Sequence, residues 1–154
     1  MPTLALHRPL GRASIDPRRR RRPVGGVRVR LGFPSPAEDF EDDTIDLNEL
    51  LVRNEPATFF WRAAGWSMRM AGIFDGDVLI ADRSIEPKHG DIVIAIWDGN
   101  TPVCKFLRIC GDHVELHSAD LETKPLVLDP DTEVEAFVVT GIVRQVKRGH
   151  VRAR

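Results

Sequence analysis

From residue 58 onward the chain is broken at short intervals by turn sequences. Asp75-Gly76-Asp77, His89-Gly90-Asp91, Asp98-Gly99-Asn100 and Gly111-Asp112 supply the glycine and Asx residues that reverse a backbone cheaply. The segments between them, Thr58 to Ala63, Val78 to Ala81, Ile92 to Trp97, Val103 to Leu107, His113 to His117 and the longer Val134 to Val146, are apolar or β-branched and mostly too short for helices. Many short strands with few helices point one way. The expected fold is mainly β, a compact and mostly antiparallel sheet domain. One short helix is expected over Asp46 to Val52, with Asp46 as N-cap and Glu49 completing a capping box.

The 154 residues suffice for one core, and their net charge of −1 conceals a segregation. Residues 1–31 hold nine arginines, including the run Arg18 to Arg22, against the single acid Asp16, a balance of +8. Residues 32–154 carry −9. The basic arm, with four prolines and few apolar residues, is expected to be largely disordered in isolation. Within it, Val27-Arg28-Val29-Arg30-Leu31 alternates as a strand with one buried face does, suited to a sheet edge or groove. Gly32-Phe33-Pro34-Ser35-Pro36 and the acidic Glu38 to Asp43 read as an extended linker. The expected organisation is an arm over 1–31 and a β domain over 32–154.

No run approaches the roughly 20 apolar residues that cross a bilayer, and the N-terminus lacks the apolar core of a secretory signal. A cytoplasmic protein without membrane association is expected. Two cysteines, Cys104 and Cys110, are too few for a disulfide framework. His113 and His117 share a strand face about 13 Å apart, too far to chelate one ion, so surface imidazoles and no metal or other cofactor are expected. The arginine run reads either as a solvated tail or as a weak phosphate contact; without a helix-turn-helix pattern, sequence-specific DNA binding is not expected.

The segment Ala64-Gly65-Trp66-Ser67-Met68-Arg69-Met70-Ala71-Gly72 places a serine where a strand ends, a glycine turns the chain and one helical turn opens, closed by Gly72. Free backbone N–H groups there can stabilise an oxyanion. Serine needs a base, and no His-Asp pair is placed to serve it. Lys105, inside Val103-Cys104-Lys105-Phe106-Leu107, is the candidate, because burial depresses an amine's pKa and frees its lone pair. An interior serine and a snorkelling lysine explain the same residues without chemistry.

Five motifs, Gly32-Phe33-Pro34-Ser35-Pro36-Ala37, Ile45-Asp46-Leu47-Asn48-Glu49-Leu50-Leu51, Gly65-Trp66-Ser67-Met68, Asp75-Gly76-Asp77-Val78-Leu79-Ile80 and His89-Gly90-Asp91-Ile92-Val93-Ile94-Ala95, stand in the order and spacing of one family. From about residue 27 to 146 the chain resembles the LexA/UmuD family of self-cleaving serine-lysine peptidases. The resemblance implies curled β-strands, a homodimer, and self-cleavage stimulated by RecA filaments on single-stranded DNA during the SOS response. It makes Ser67 the nucleophile, Lys105 the general base, the Ser67 and Met68 amides the oxyanion donors, and Leu31-Gly32 the scissile bond. The shortened product then joins a UmuC-type catalytic subunit of an error-prone translesion DNA polymerase. A catalytically silent binding module for polymerase or RecA is the alternative.

Three positions depart from the family pattern. Trp66 replaces the usual aspartate before the serine, and Leu31 replaces a smaller residue before the cut. The hairpin around Asn100 to Pro102 is one residue longer, so that an ungapped alignment sets Cys104 opposite the family's lysine. Lys105 keeps the family's spacing to Leu107, which leaves Cys104 as a buried small residue. A LexA-type repressor would need a helix-turn-helix domain of roughly 60 residues before the cut, where this chain has 31 rich in proline and arginine.

Overall fold

The computed structural model describes residues 10–13, 22–24 and 43–146. Its main feature is an eight-stranded antiparallel sheet. In chain order the strands are β1 (Gly11–Arg12), β4 (Thr58–Arg62), β5 (Val78–Asp82), β6 (Ile92–Trp97), β7 (Val103–Cys110), β8 (His113–His117), β9 (Leu126–Leu128) and β10 (Val134–Val143). Their spatial order is β1-β4-β5-β10-β6-β7-β8-β9, so the last strand inserts at the centre, between β5 and β6. A separate two-stranded sheet pairs β2 (Arg22–Val24) with β3 (Asp43–Ile45). The helix α1 (Leu47–Leu51) begins as expected at Asp46, whose carboxylate accepts the Asn48 N–H at 2.8 Å.

The period of two along each strand sends alternate residues to two cores. Leu79, Ala81, Ile94 and Phe137 join Trp61, Met68 and Ile73 in one; Val93, Ala95 and Val138 join Leu107, Leu116 and Leu128 in the other. The sheet thus buries residues on both faces, with a single five-residue α-helix among the described residues. No helix among these residues is long and apolar enough to cross a membrane.

Four expectations are corrected. The arm is not uniformly without structure, because β1 adds to the sheet edge: the Leu10 and Ala13 N–H groups donate to the Phe60 and Thr58 carbonyls at 2.6 and 3.0 Å, and Ala13 is buried. Arg22 to Val24 pairs with the end of the presumed acidic linker. Strand β7 runs on to Cys110, while β10 stops at Val143 instead of Val146. Lastly, β9 is an additional strand, carried by its pairing with β8. Two or three residues are too few to show a period, which is why β1, β2 and β9 leave no mark in the pattern. Val27 to Leu31, Gly32 and the linker to Asp42 lie outside the described residues.

Candidate active site

Ser67 sits in a loop fastened at several points. After β4, the Ala63 N–H donates to the Asp77 carbonyl at 2.8 Å and the Gly76 N–H to the Ala63 carbonyl at 2.9 Å, tying the two arms of the loop together. Gly65 turns the chain at φ 88°, a left-handed conformation that a side chain would strain, and its N–H donates to the Asp75 carboxylate. Beyond the serine, Met68 plunges into the first core at 4% exposure. The 3-10 turn after the serine spans Arg69–Ala71, two residues later than expected, with Met68 as its N-cap and Gly72 ending it at φ 79°. Ser67 therefore precedes the turn, clamped from the far side by the chain after β8. The Ala119 N–H donates to the Ser67 carbonyl at 2.7 Å, and the Met70 N–H to the Ala119 carbonyl at 2.9 Å.

Lys105 comes from β7, where it pairs with Val93 of β6. Its side chain is buried to 8% exposure, and Nζ lies 2.7 Å from Ser67 Oγ. Burial holds the amine below its ordinary pKa, since an ammonium ion loses hydration there; neighbouring Cys104 and Asp120 act in the opposite sense. Burial also pushes the Cys104 thiol up to about 12, so this thiol is neutral near neutral pH and Asp120 supplies the opposing charge. Of the two residues competing for the alignment, Lys105 reaches the serine, while Cys104 lines the cavity beside it.

That cavity, of about 350 Å³, lies between the end of β4, the serine loop and the start of β7. Trp61, Ala63, Ile94, Thr101 and Val103 contribute to its wall, making it suited to an apolar, extended segment. Among the described residues, neither the Ser67 N–H nor the Met68 N–H donates a hydrogen bond. Leu31 and Gly32 lie outside the described residues. Trp66 is 58% exposed and leans on Phe74, with ring centroids 6.2 Å apart.

Two supports were not foreseen from the sequence. One is the Ala119 clamp. The other is Arg144, which grips Asp77 with Nε on Oδ1 at 2.7 Å and a terminal nitrogen on Oδ2 at 2.6 Å. It also donates to the Gly72 carbonyl and stacks over Phe74 at 4.4 Å. Asp77 had been read only as part of a turn, and nothing in local spacing connects it to a residue so far along the chain.

Residues 23–143 match the Peptidase S24-like family. The chain is 45% identical over 126 residues to Protein ImpA of Escherichia coli, covering 82% of this chain and 86% of that one. It is 48% identical over 119 residues to Protein MucA of Escherichia coli, covering 75% and 77%, and 35% identical over 119 residues to the LexA repressor of Caldicellulosiruptor saccharolyticus, covering 77% and 57%. The LexA match and the UmuD-type motifs agree with one another, and the chain belongs to the Peptidase S24-like family.

Proposed function

We propose that this chain is a UmuD-like serine endopeptidase that cuts its own Leu31-Gly32 bond and thereafter serves as accessory subunit of an error-prone translesion polymerase. The observation that carries the reading is the 2.7 Å approach of a buried lysine to a loop serine.

The chemistry follows from that pair. With Lys105 neutral, Ser67 Oγ–H donates to Nζ; as Oγ bonds to the Leu31 carbonyl carbon, its proton passes to Nζ. The Ser67 and Met68 N–H groups receive the developing oxyanion. Collapse of the tetrahedral species breaks the C–N bond, and the Lys105 ammonium returns its proton to the Gly32 nitrogen. Water, deprotonated by the same amine, then releases the acyl group from Ser67. Homodimerisation, stimulation by RecA filaments and pairing with a UmuC-type subunit belong to the same reading through the family resemblance.

The test is mass determination after incubating the purified chain with RecA, an ATP analogue and single-stranded DNA. A single new N-terminus at Gly32, absent from Ser67→Ala, is expected. An uncut chain, or a cut elsewhere, overturns the assignment.

A further inference from the structure

A second cluster of reactive side chains lies on the β7–β8 hairpin, apart from Ser67 and Lys105. The two strands are joined by Gly111 and Asp112, with Gly111 left-handed at φ 59°. The register sets Cys110 opposite His113, Arg108 opposite Glu115 and Phe106 opposite His117, so these side chains share one face. On that face the donor atoms of Cys110, His113 and Glu115 all lie within 4.8 Å of one another, and all three residues are half-buried.

Hydrogen bonds already draw these side chains together. His113 Nδ1 is 2.9 Å from an Asp112 carboxylate oxygen, an orienting contact of the kind a metal-ligating imidazole keeps on the ring nitrogen away from the ion. Without an ion, His113 Nε2–H donates to Glu115 Oε1 at 3.2 Å, so an ion entering here takes the place of that proton; the other oxygen, Oε2, accepts from His117 Nε2 at 2.5 Å. Around a tetrahedral ion with metal–sulfur and metal–nitrogen bonds of about 2.3 and 2.0 Å, neighbouring donors stand about 3.5 Å apart, so little rearrangement is needed. Arg108, the cation opposite Glu115, forms no ion pair with it among the described residues and is exposed enough to turn away. The hairpin supplies Cys110 across the strands, a pairing that the sequence of either strand alone does not show.

We propose a divalent zinc site formed by Cys110 Sγ, His113 Nε2 and Glu115 Oε1, with Asp112 and His117 orienting the ligands and a fourth position open to water. Mixed sulfur, nitrogen and oxygen donors favour Zn²⁺ over the hard cations Ca²⁺ and Mg²⁺. Binding takes up the ion and releases to solvent the Cys110 thiol proton and the proton that His113 Nε2 shares with Glu115. The bound ion pins the turn end of β7, the strand that carries Lys105.

The test titrates the reduced full chain with Co²⁺, which occupies zinc sites and reports thiolate ligation optically. One equivalent is expected, giving a thiolate-to-cobalt charge-transfer band and tetrahedral d–d absorption, both bleached by Zn²⁺. Cys110→Ser abolishes the charge-transfer band and Cys104→Ser keeps it. His113→Gln tests the same site from β8 and weakens binding, while Asp112→Asn weakens it about tenfold or more. The absence of a charge-transfer band at millimolar Co²⁺ overturns the proposal. So does a band that survives Cys110→Ser or disappears with Cys104→Ser.

Discussion

Arg144 and Asp77 form a two-point ion pair behind the serine loop, joining the chain just after β10 to the turn before β5. Asp77 is 2% exposed and accepts the Phe74 N–H as well, so one carboxylate holds both a distant arginine and its own turn. Through Gly72, the same guanidinium holds the end of the 3-10 turn that follows Ser67. Ser67 is thus positioned by residues that never touch it.

Asp77→Ala leaves the Phe74 N–H without its acceptor and is expected to cost about 1–3 kcal/mol at neutral pH, measured by urea denaturation. Arg144, chiefly through its hydrogen bonds, holds the Asp77 carboxyl below its ordinary pKa. A depressed carboxylate stabilises the fold above its unfolded pKa, about 3.9, and loses that contribution as pH falls through the lower folded value. The gap between wild type and Asp77→Ala should therefore narrow below about pH 4. A gap that widens in acid contradicts the pairing.

Gly72→Ala isolates backbone strain. At φ 79° the new Cβ meets no atom within 4 Å, so crowding contributes nothing and the left-handed conformation alone should cost about 1–2 kcal/mol. Gly72→Asn, better tolerated there, should cost less. A stabilising Gly72→Ala would contradict the cap geometry.

Asp120→Asn removes the negative charge that favours the Lys105 ammonium. Losing it lowers the amine's pKa further and supplies the neutral base at lower pH. Self-cleavage near pH 7.5 should then rise by up to about tenfold, with its alkaline rise displaced towards neutrality. Displacement towards higher pH would show that Asp120 does not act on Lys105 through its charge.

The pairing of β1 with β4 makes its own prediction in amide exchange. Leu10 and Ala13, whose N–H groups donate to β4, should exchange more slowly than an unstructured peptide of the same sequence. Exchange at the unstructured rate would remove β1 from the sheet.

What was legible in the sequence is what local pattern encodes. Ile92 to Trp97 and His113 to His117 appear with the bounds that their short apolar or β-branched runs suggest, and Asp46 caps the helix as its place in the sequence suggests. Ser67 and Lys105 stood out because each is chemically odd for its surroundings, a hydroxyl in a glycine turn and an amine in an apolar run. Their 2.7 Å separation was not legible, since it depends on how β7 passes the loop. The Ala119 clamp and Arg144 were invisible for the same reason, being contacts between segments with no common period. The cluster of Cys110, His113 and Glu115 depends on hairpin register, which a strand read by itself cannot supply.

The central claim, that a neutral Lys105 activates Ser67, is tested most directly by a pH series of unstimulated self-cleavage, with product masses measured for wild type and Lys105→Ala. The wild-type rate should rise about tenfold per pH unit until the amine is fully deprotonated and then level off, while Lys105→Ala yields no product at any pH. A flat profile from about pH 6 to 10, or one falling above about pH 7 in a chain that stays folded, would contradict a neutral-lysine base.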